Sequence, residues 1–238
     1  LKFNMSGETD GGIGIAVYYE IDGGSLDDYN LKMSGDWGSL TFDGHGGSSA
    51  MGAIDDKTPN AYEEAWAVVD TDGTSATGSA TVINGGGANN MFIYTSPDMG
   101  GAVFTAAYVN HVSAAAESYT DYSVVITPEG IDGLSVGAAI ADHTVASSGS
   151  TDIEESTMYA TYAIGSMTLG VQFSDYDHDT ANSDAESTAI GISYAVNDDV
   201  SISYNRHELE TELSTDEDQE STGISASFTS GGMTLAGS

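Results

Sequence analysis

The feature that most constrains the fold is a strict alternation of apolar and polar side chains, repeated along the chain. Near the start, Phe3 and Met5 alternate with Lys2, Asn4 and Ser6. A period of two residues is typical of a β-strand whose two faces meet different surroundings. Helical periodicity is nearly absent, apart from a turn or two around 61–69. The sequence therefore predicts an all-β chain of about fourteen strands, at 2–9, 12–20, 29–34, 37–43, 90–96, 101–110, 119–127, 134–142, 155–163, 167–176, 186–195, 199–208, 219–229 and 232–236.

The connections between these segments fall into two kinds. The tight ones are built from Gly, Pro, Asn, Asp and Ser, which supply the backbone angles that turns require. The others are longer and acidic, and they cover 21–28, 44–89, 110–118, 143–154, 177–185 and 209–218. Short and long connections alternate strictly. In an up-and-down meander this rule puts all short turns at one end and all long loops at the other.

The two strand faces differ in an unusual way. One carries large apolar side chains, and the other carries Ser, Thr, Gly, Asn, Gln and Ala, while the charges crowd into the loops. A soluble sandwich would instead turn a charged face to water. The pattern favours a transmembrane up-and-down β-barrel with its apolar face toward lipid and water in its lumen. Tyr108, Tyr119 and Tyr176 lie at strand ends beside long loops, where an aromatic girdle is expected.

Composition excludes several classes of function. Thirty-seven acidic residues face four basic ones, and the formal charge is −33 at pH 7. Nucleic acid is excluded as a partner, because phosphate binding needs clustered Lys and Arg. The charge fits a protein that attracts cations or works in high salt. Cysteine is absent, which removes disulfides, thiolate metal sites and thiol nucleophiles. No run approaches the ~20 apolar residues of a transmembrane helix.

The longest connection, residues 44–89, is called the insert below. A run of this length without alternation is either functional or disordered. It carries Met51, Ile54, Tyr62 and Trp66, which is too much apolar surface for a solvated tail. We therefore expect one β-barrel domain over 1–238, with the insert folded against the rest of it.

Several stretches resemble Gram-negative general porins of the alphaproteobacterial type. Trp37-Gly-Ser-Leu-Thr-Phe-Asp43 resembles the strand that precedes their constriction loop, and Asn89-Asn-Met-Phe-Ile-Tyr-Thr-Ser-Pro97 the segment that follows it. Phe3 to Gly12 is similar to their second strand and first turn. The resemblance covers residues 1–110 closely, and beyond them it is mainly the rhythm of hairpins.

The resemblance implies an outer-membrane barrel of about sixteen strands that assembles as a homotrimer, with its third loop folded into the pore. The fourteen segments would then be strands two to fifteen of a chain that is incomplete at both ends. Porins of this family line the wall opposite the loop with arginines, whereas this chain has one arginine, Arg206. Strand parity puts Arg206 on the outer face, and only Lys2 and Lys32 on the predicted lumen face.

The acidic residues of the insert are the candidate ion-selecting group: Asp55, Asp56, Glu63, Glu64, Asp70 and Asp72. Carboxylates in a narrow, water-filled constriction raise the local cation concentration and repel anions. The alternative is that they are ordinary solvated loop charges. The candidate constriction set also includes Lys2 and Lys32.

A metal site is a second hypothesis for the same segment. Asp70-Thr-Asp72-Gly73 resembles the start of a calcium loop, but Thr81 stands where the closing Glu would be, so an EF-hand is excluded. Loosely bound Ca²⁺ at Asp70 and Asp72 stays open, and no cofactor is required. The five histidines lie in or beside loops without metal-ligand spacing, and we expect them to be solvated.

Known catalytic motifs are missing, including GxSxG, HExxH and the P-loop, so the sequence does not indicate an enzyme. The leading hypothesis is a passive porin channel for small hydrophilic solutes, preferring cations and embedded in outer-membrane lipid. Two alternatives remain. One is a secreted or surface-layer acidic β protein that binds calcium through loop carboxylates, and the other is a barrel enzyme of the outer membrane.

Overall fold

A computed structural model describes residues 1–64, 89–110, 117–145, 152–179, 184–212 and 218–238. It contains fourteen strands in these ranges: β1 Lys2–Glu8, β2 Gly14–Asp22, β3 Ser25–Gly35, β4 Gly38–His45, β5 Met91–Thr95, β6 Ala102–Val109, β7 Glu117–Ile126, β8 Leu134–Val145, β9 Ile153–Ile164, β10 Met167–His178, β11 Ala185–Ala195, β12 Val200–Thr211, β13 Gln219–Ser230 and β14 Met233–Gly237. Within the described ranges, no helix is both long and apolar enough to span a membrane.

The strands form one sheet in which each strand pairs with its neighbours in the sequence, from β1 to β14. Every pairing is antiparallel, as in the hairpin from Met167–His178 to Ala185–Ala195. This is the up-and-down meander that the alternation predicted, and the predicted all-β antiparallel fold is confirmed. The reason is local: tight turns join segments whose side-chain period is two throughout.

The prediction of a long loop at 21–28 is wrong. Strand β2 runs to Asp22 and β3 begins at Ser25, so the connection is the pair Gly23 and Gly24. Their φ angles are 56° and 89°, and two consecutive residues with positive φ are the requirement of a type I′ hairpin turn. The strict alternation of short and long connections therefore fails at this hairpin. Acidic residues that resembled a loop belong to a strand.

The two faces of the sheet are distinguished by what they contact. We call the face against the insert the inner face and the opposite one the outer face. On the outer face, large apolar side chains lie exposed, among them Ile140, Met158 and Ile224, the last at 71%. The buried strand residues of the inner face are mostly small or polar, for example Ser123, Ala139 and Ser225. This is the reverse of a soluble β protein and is typical of a sheet whose outer face meets lipid.

The aromatic girdle lies largely elsewhere than predicted. Tyr108 is on the outer face, but Tyr119 is 4% exposed on the inner face. Tyr176 also lies on the inner face, where it packs against a cluster of buried apolar residues that includes Tyr119. Outer-face rings gather instead near the short-turn end of the sheet: Tyr94, Tyr162, Tyr194 and Phe228. In transmembrane β-barrels, aromatic rings near the ends of the strands mark the membrane–water boundary.

The prediction that the histidines are solvated is wrong for two of them. His207 is 3% exposed on the inner face of β12. His143 lies with its Nε2 3.2 Å from a carboxylate oxygen of the buried Glu155. Strand β8 extends to Val145, which moves His143 from a predicted loop onto the sheet. His207 was already within the predicted strand 199–208, and β12 extends to Thr211, so His207 lies further from the loop than the sequence pattern suggested. His111 lies outside the described residues.

Candidate functional site

The described part of the insert, residues 46–64, crosses the inner face from strand to strand. The backbone N–H of Met51 bonds to β7, that of Lys57 bonds to β10, and that of Ala61 bonds to β12. The insert begins directly after β4, so its path spans eight strands of the sheet. Three successive contacts with different strands fix where this segment lies.

The first anchor is the carboxylate of Asp121, which is fully buried. It accepts hydrogen bonds from the Met51 N–H at 2.6 Å, the Tyr119 hydroxyl at 2.9 Å and the Ala107 N–H at 3.1 Å. The Tyr119 hydroxyl also lies 3.3 Å from Ser49 Oγ. A buried carboxylate is tolerated only when several hydrogen-bond donors surround it. Here one donor belongs to β6, one to β7 and one to the insert.

The second anchor is the amide of Gln172, which is 4% exposed. Its oxygen accepts from the Lys57 N–H at 2.7 Å, and its nitrogen donates to the carbonyls of Ile54 and Asp55 and to Thr157 Oγ1, each at 2.9 Å. One side chain thus satisfies three backbone groups of the insert that would otherwise be buried without partners.

The third anchor is a notch in the wall that receives Pro59. A Cβ atom added at Gly170 would lie 2.3 Å from Pro59 Cδ, and one at Gly191 would lie 2.7 Å from the Pro59 carbonyl oxygen. The Asn205 amide donates to that same oxygen at 2.9 Å, and the Ala61 N–H donates to Ser203 Oγ at 2.9 Å. Because only glycine leaves room for this approach, the wall and the insert fit each other here.

An apolar cluster completes the contact. Met51 and Ile54 of the insert are 0% and 3% exposed and pack with Tyr119, Tyr159 and Leu209 of the inner face. Apolar burial is non-directional, so the cluster supplies attraction while the anchors supply position. The core of this protein therefore lies between the insert and the sheet.

The structure brings four of the predicted acidic residues together. Asp55, Asp56, Glu63 and Glu64 are all half-buried within ten residues of the insert. Burial raises the pKa of Glu64 to about 7, and repulsion from and a hydrogen bond with Asp56 add to the effect. The Asn60 amide also donates to Glu64. Close carboxylates that share a proton are expected where like charges are held near each other.

The pKa of the Asp55 carboxyl group is raised as well. Burial raises its pKa above the ordinary aspartate value, and the neighbouring charge of Asp56 adds to this. The ammonium group of Lys57, which the sequence reasoning did not weigh, acts against it. The described part of the insert thus holds four carboxylates and one ammonium group, which leaves it negative above neutral pH.

The other predicted residues lie apart from this group. Lys2 is on the inner face of β1, with Nζ 3.0 Å from Glu20 Oε2 of β2, and Lys32 is exposed on the inner face of β3. Arg206 is on the outer face of β12, as its parity predicted, and is paired with Glu208 and Glu220. Asp70 and Asp72 lie outside the described residues.

Sequence reasoning missed the residues that hold the insert, above all Asp121, Gln172 and Asn205. A signal was present for Gln172, which is larger and more polar than Gly170 and Ser174, its nearest neighbours on the same face of β10. A bulky hydrogen-bonding side chain on an otherwise small inner face indicates that something is bound there.

A family model described as Gram-negative porin matches residues 1–238. A search of the curated proteins gave no match.

Solved structures with the same fold include two porins and one further outer membrane protein. The first is a porin refined at 1.8 Å resolution, with a TM-score of 0.69 and 14% identity over 99% of this chain and 83% of that one. The second is an anion-selective porin from Comamonas acidovorans, with a TM-score of 0.68 and 19% identity over 95% and 72% of the two chains. The third is a loop-deletion mutant of OmpT, an outer membrane protein of Vibrio cholerae, with a TM-score of 0.68 and 15% identity over 95% and 78%.

Proposed function

This chain belongs to the Gram-negative porin family and forms an outer-membrane channel, and on that premise we propose that the channel prefers cations. In our proposal it conducts small hydrophilic solutes by passive diffusion, and no bond is made or broken. Solute size is limited by the insert, and the sign of the charge on the insert decides which ions enter.

The observation that carries the proposal is the position of the acidic group. The insert is held against the inner face at β7, β10 and β12, and between the first two contacts it presents Asp55 and Asp56. Glu63 and Glu64 follow directly after the contact with β12. Carboxylates fixed by three anchors inside a channel stay in the path of ions, whereas those of a free loop would move with it.

The fold itself does not decide the preference. The porin from Comamonas acidovorans, which is described as anion-selective, has the same fold at 19% identity. The difference must therefore lie in side chains. In this chain, four carboxylates face a single ammonium group on the described part of the insert, and the inner wall of β1 to β3 adds Lys2 and Lys32. We propose that these residues together form the charged constriction.

Two further features belong to the proposal. The family resemblance supports assembly as a homotrimer, which chemical cross-linking in detergent would test through a ladder ending at three chains. Calcium at Asp70 and Asp72 stays a prediction, as does the absence of any required cofactor. Family membership favours the channel over a secreted calcium-binding protein, which would not need detergent for its purification.

The test is single-channel recording of the full protein in a planar bilayer under a KCl gradient. The proposal predicts stepwise conductance and a reversal potential whose sign indicates K⁺ over Cl⁻. Stepwise conductance with equal permeability would overturn the cation preference while leaving the channel. A reversal potential of anion sign would contradict the role given to the insert.

A further inference from the structure

A cluster of metal-ligating side chains lies at the point where the insert leaves the sheet. Asp27, Asp28 and His45 each offer one ligand atom, and the three atoms lie within 4.8 Å of one another. The His45 Nδ1 atom is 2.8 Å from Asp28 Oδ1 and 3.8 Å from Asp27 Oδ1. These residues lie outside the insert's acidic group.

Two irregularities of the sheet bring the three side chains together. The register between β2 and β3 shifts between Tyr19 and Ile21, and the register between β3 and β4 shifts between Tyr29 and Asn30. Such bulges insert an extra residue and turn side chains away from their usual alternation. Asp27 and Asp28 fall in the irregular part of β3, and His45 is the last residue of β4.

A second and independent observation points to a ligand. Asp43, two residues before His45, is only 7% exposed, and its Oδ1 atom has no hydrogen-bond partner. The Asp43 carboxylate interacts electrostatically with both Asp28 and His45. A buried carboxylate oxygen without a donor is costly, and a bound cation with its water would relieve that cost.

Glycines at the start of the insert let its backbone pass close to the cluster. A Cβ atom at Gly46 would lie 2.3 Å from Asp28 Oδ1, and one at Gly47 would lie 2.5 Å from Asp43 Cγ. Gly46 also has a φ of 83°, which favours glycine. The first residues of the insert therefore pass directly beside the Asp28 and Asp43 carboxylates, and larger side chains there would fill the space.

From this arrangement we propose that Asp27, Asp28 and His45 bind a divalent transition-metal cation of the Zn²⁺ class. Two carboxylates and an imidazole suit zinc and its neighbours, whereas calcium and magnesium prefer oxygen ligands alone. Ligand atoms around tetrahedral zinc lie about 3.3–3.6 Å apart, from bonds of about 2.0–2.2 Å. The two measured separations bracket that range. Asp43 is a positioning residue that accepts a hydrogen bond from a metal-bound water.

The proposed site lies at the base of the insert, so a bound cation would affect how the insert is held. The N–H of Asn90, where the chain returns to β5, bonds to the Gly44 carbonyl at 3.3 Å. Both ends of the insert thus meet at Gly44, next to His45. A cation shared by β3 and the end of β4 clips the base of the insert to the sheet.

The test is calorimetric titration of the full-length protein with Zn²⁺, prepared without a histidine tag and in excess Mg²⁺ to occupy the general acidic surface. We expect one Zn²⁺ per chain and at least a tenfold loss of affinity in His45→Gln and in Asp28→Asn. Asp43→Asn should lose about tenfold, in the range for groups that support a ligand. The matched control is His178→Gln, another imidazole at the loop end of a strand, which should bind as the wild type does.

Thermal unfolding gives a second readout that does not depend on channel activity. Zn²⁺ should raise the melting temperature of the wild type and of His178→Gln, but not that of Asp27→Asn or His45→Gln. The proposal is overturned if the wild type binds no Zn²⁺ under these conditions. It is equally overturned if His45→Gln keeps wild-type affinity, or if Ca²⁺ competes for these residues as strongly as Zn²⁺ binds them.

Discussion

The carboxylate of Glu64 titrates where few surface carboxylates do. Burial raises its pKa to about 7, and the nearby Asp56 adds to this. A carboxyl group with this pKa is mostly protonated and neutral below pH 6 and mostly ionised above pH 8. Negative charge on the insert therefore increases through neutrality, and cation preference should increase with it.

Replacing Glu64 by Gln should remove this increase of negative charge between pH 6 and pH 8. We expect the wild-type reversal potential to shift toward the K⁺ potential as pH rises from 6 to 8, and the Glu64→Gln channel to respond less. Glu63→Gln is the control, since it deletes a neighbouring charge but should leave the pH step in place. An identical pH response in Glu64→Gln and the wild type would contradict the assignment.

Gln172 holds the insert through a single amide. In Gln172→Leu, the Lys57 N–H and the carbonyls of Ile54 and Asp55 lose their partner, at a cost of about 1 kcal/mol or more for each buried group. The insert should detach more often. Trypsin provides the measurement because Lys57 is its target on the described part of the insert, so cleavage after Lys57 should speed up in the folded variant.

The second glutamine of the chain offers a matched control. Gln219 lies on the inner face of β13 opposite Leu209, and it makes no hydrogen bond to the described part of the insert. Gln219→Leu should leave cleavage after Lys57 at the wild-type rate. Equal cleavage of the Gln172→Leu and wild-type proteins would show that the amide does not hold the insert.

At this scale, the sequence pointed to the acidic group but not to its anchors. Asp55, Asp56, Glu63 and Glu64 are adjacent pairs on one segment, so their proximity needs no knowledge of the fold. Asp121 and Gln172 meet the insert across 70 and 115 residues of chain. Contacts of that range depend on which strands the insert reaches, and no local pattern contains that information.

Among the elements, the closest fit is between the insert and β10. Gly170 faces Pro59, and an added Cβ would lie 2.3 Å from its ring. Gly170→Val should therefore push the insert from the wall and change the single-channel conductance. Gly7→Val is the control, since a Cβ at Gly7 meets nothing within 4 Å. If both variants conduct like the wild type, the described packing of Pro59 is wrong.

The orientation of the strands can be tested on β13. Ile224 is 71% exposed on the outer face near the middle of its strand. A lysine at that position should destabilise the inserted barrel by about 2–4 kcal/mol, the cost of a cation at the midplane on the lipid face. Unfolding in urea from lipid vesicles would measure it.

Ser227→Lys provides the comparison, because it puts the same charge on the inner face of the same strand. Its stability should stay near that of the wild type. If Ser227→Lys is the more damaging of the two, the inner and outer faces have been exchanged.

The elements themselves were largely predictable, because a period of two residues and turn-forming residues are local signals. The exception is instructive. Asp27 and Asp28 looked like an acidic loop, yet Gly23 and Gly24 form the turn and both aspartates belong to β3. The bulge that disturbs their alternation is the reason the strand was missed, and it also brings them to His45.

At the scale of the whole molecule, burial is arranged around the insert. The outer face leaves large apolar side chains exposed, and the apolar cluster forms where the insert meets the inner face. A porin thus stabilises its sheet against lipid and uses its internal contacts to position one segment. This is why the insert's contacts with the anchors and its four carboxylates lie within the same sixteen residues, from Ser49 to Glu64.

The central claim is that the insert's carboxylates set ion preference. The most direct measurement is the reversal potential under a KCl gradient, compared between the wild type and the variant Asp55→Asn, Asp56→Asn, Glu63→Gln, Glu64→Gln. We predict a cation-selective potential for the wild type at pH 8 and a shift of this potential toward zero for the variant. The control is the double variant Asp198→Asn, Asp199→Asn in the short turn between β11 and β12, which should keep the wild-type potential. A variant with the wild-type potential would contradict the claim.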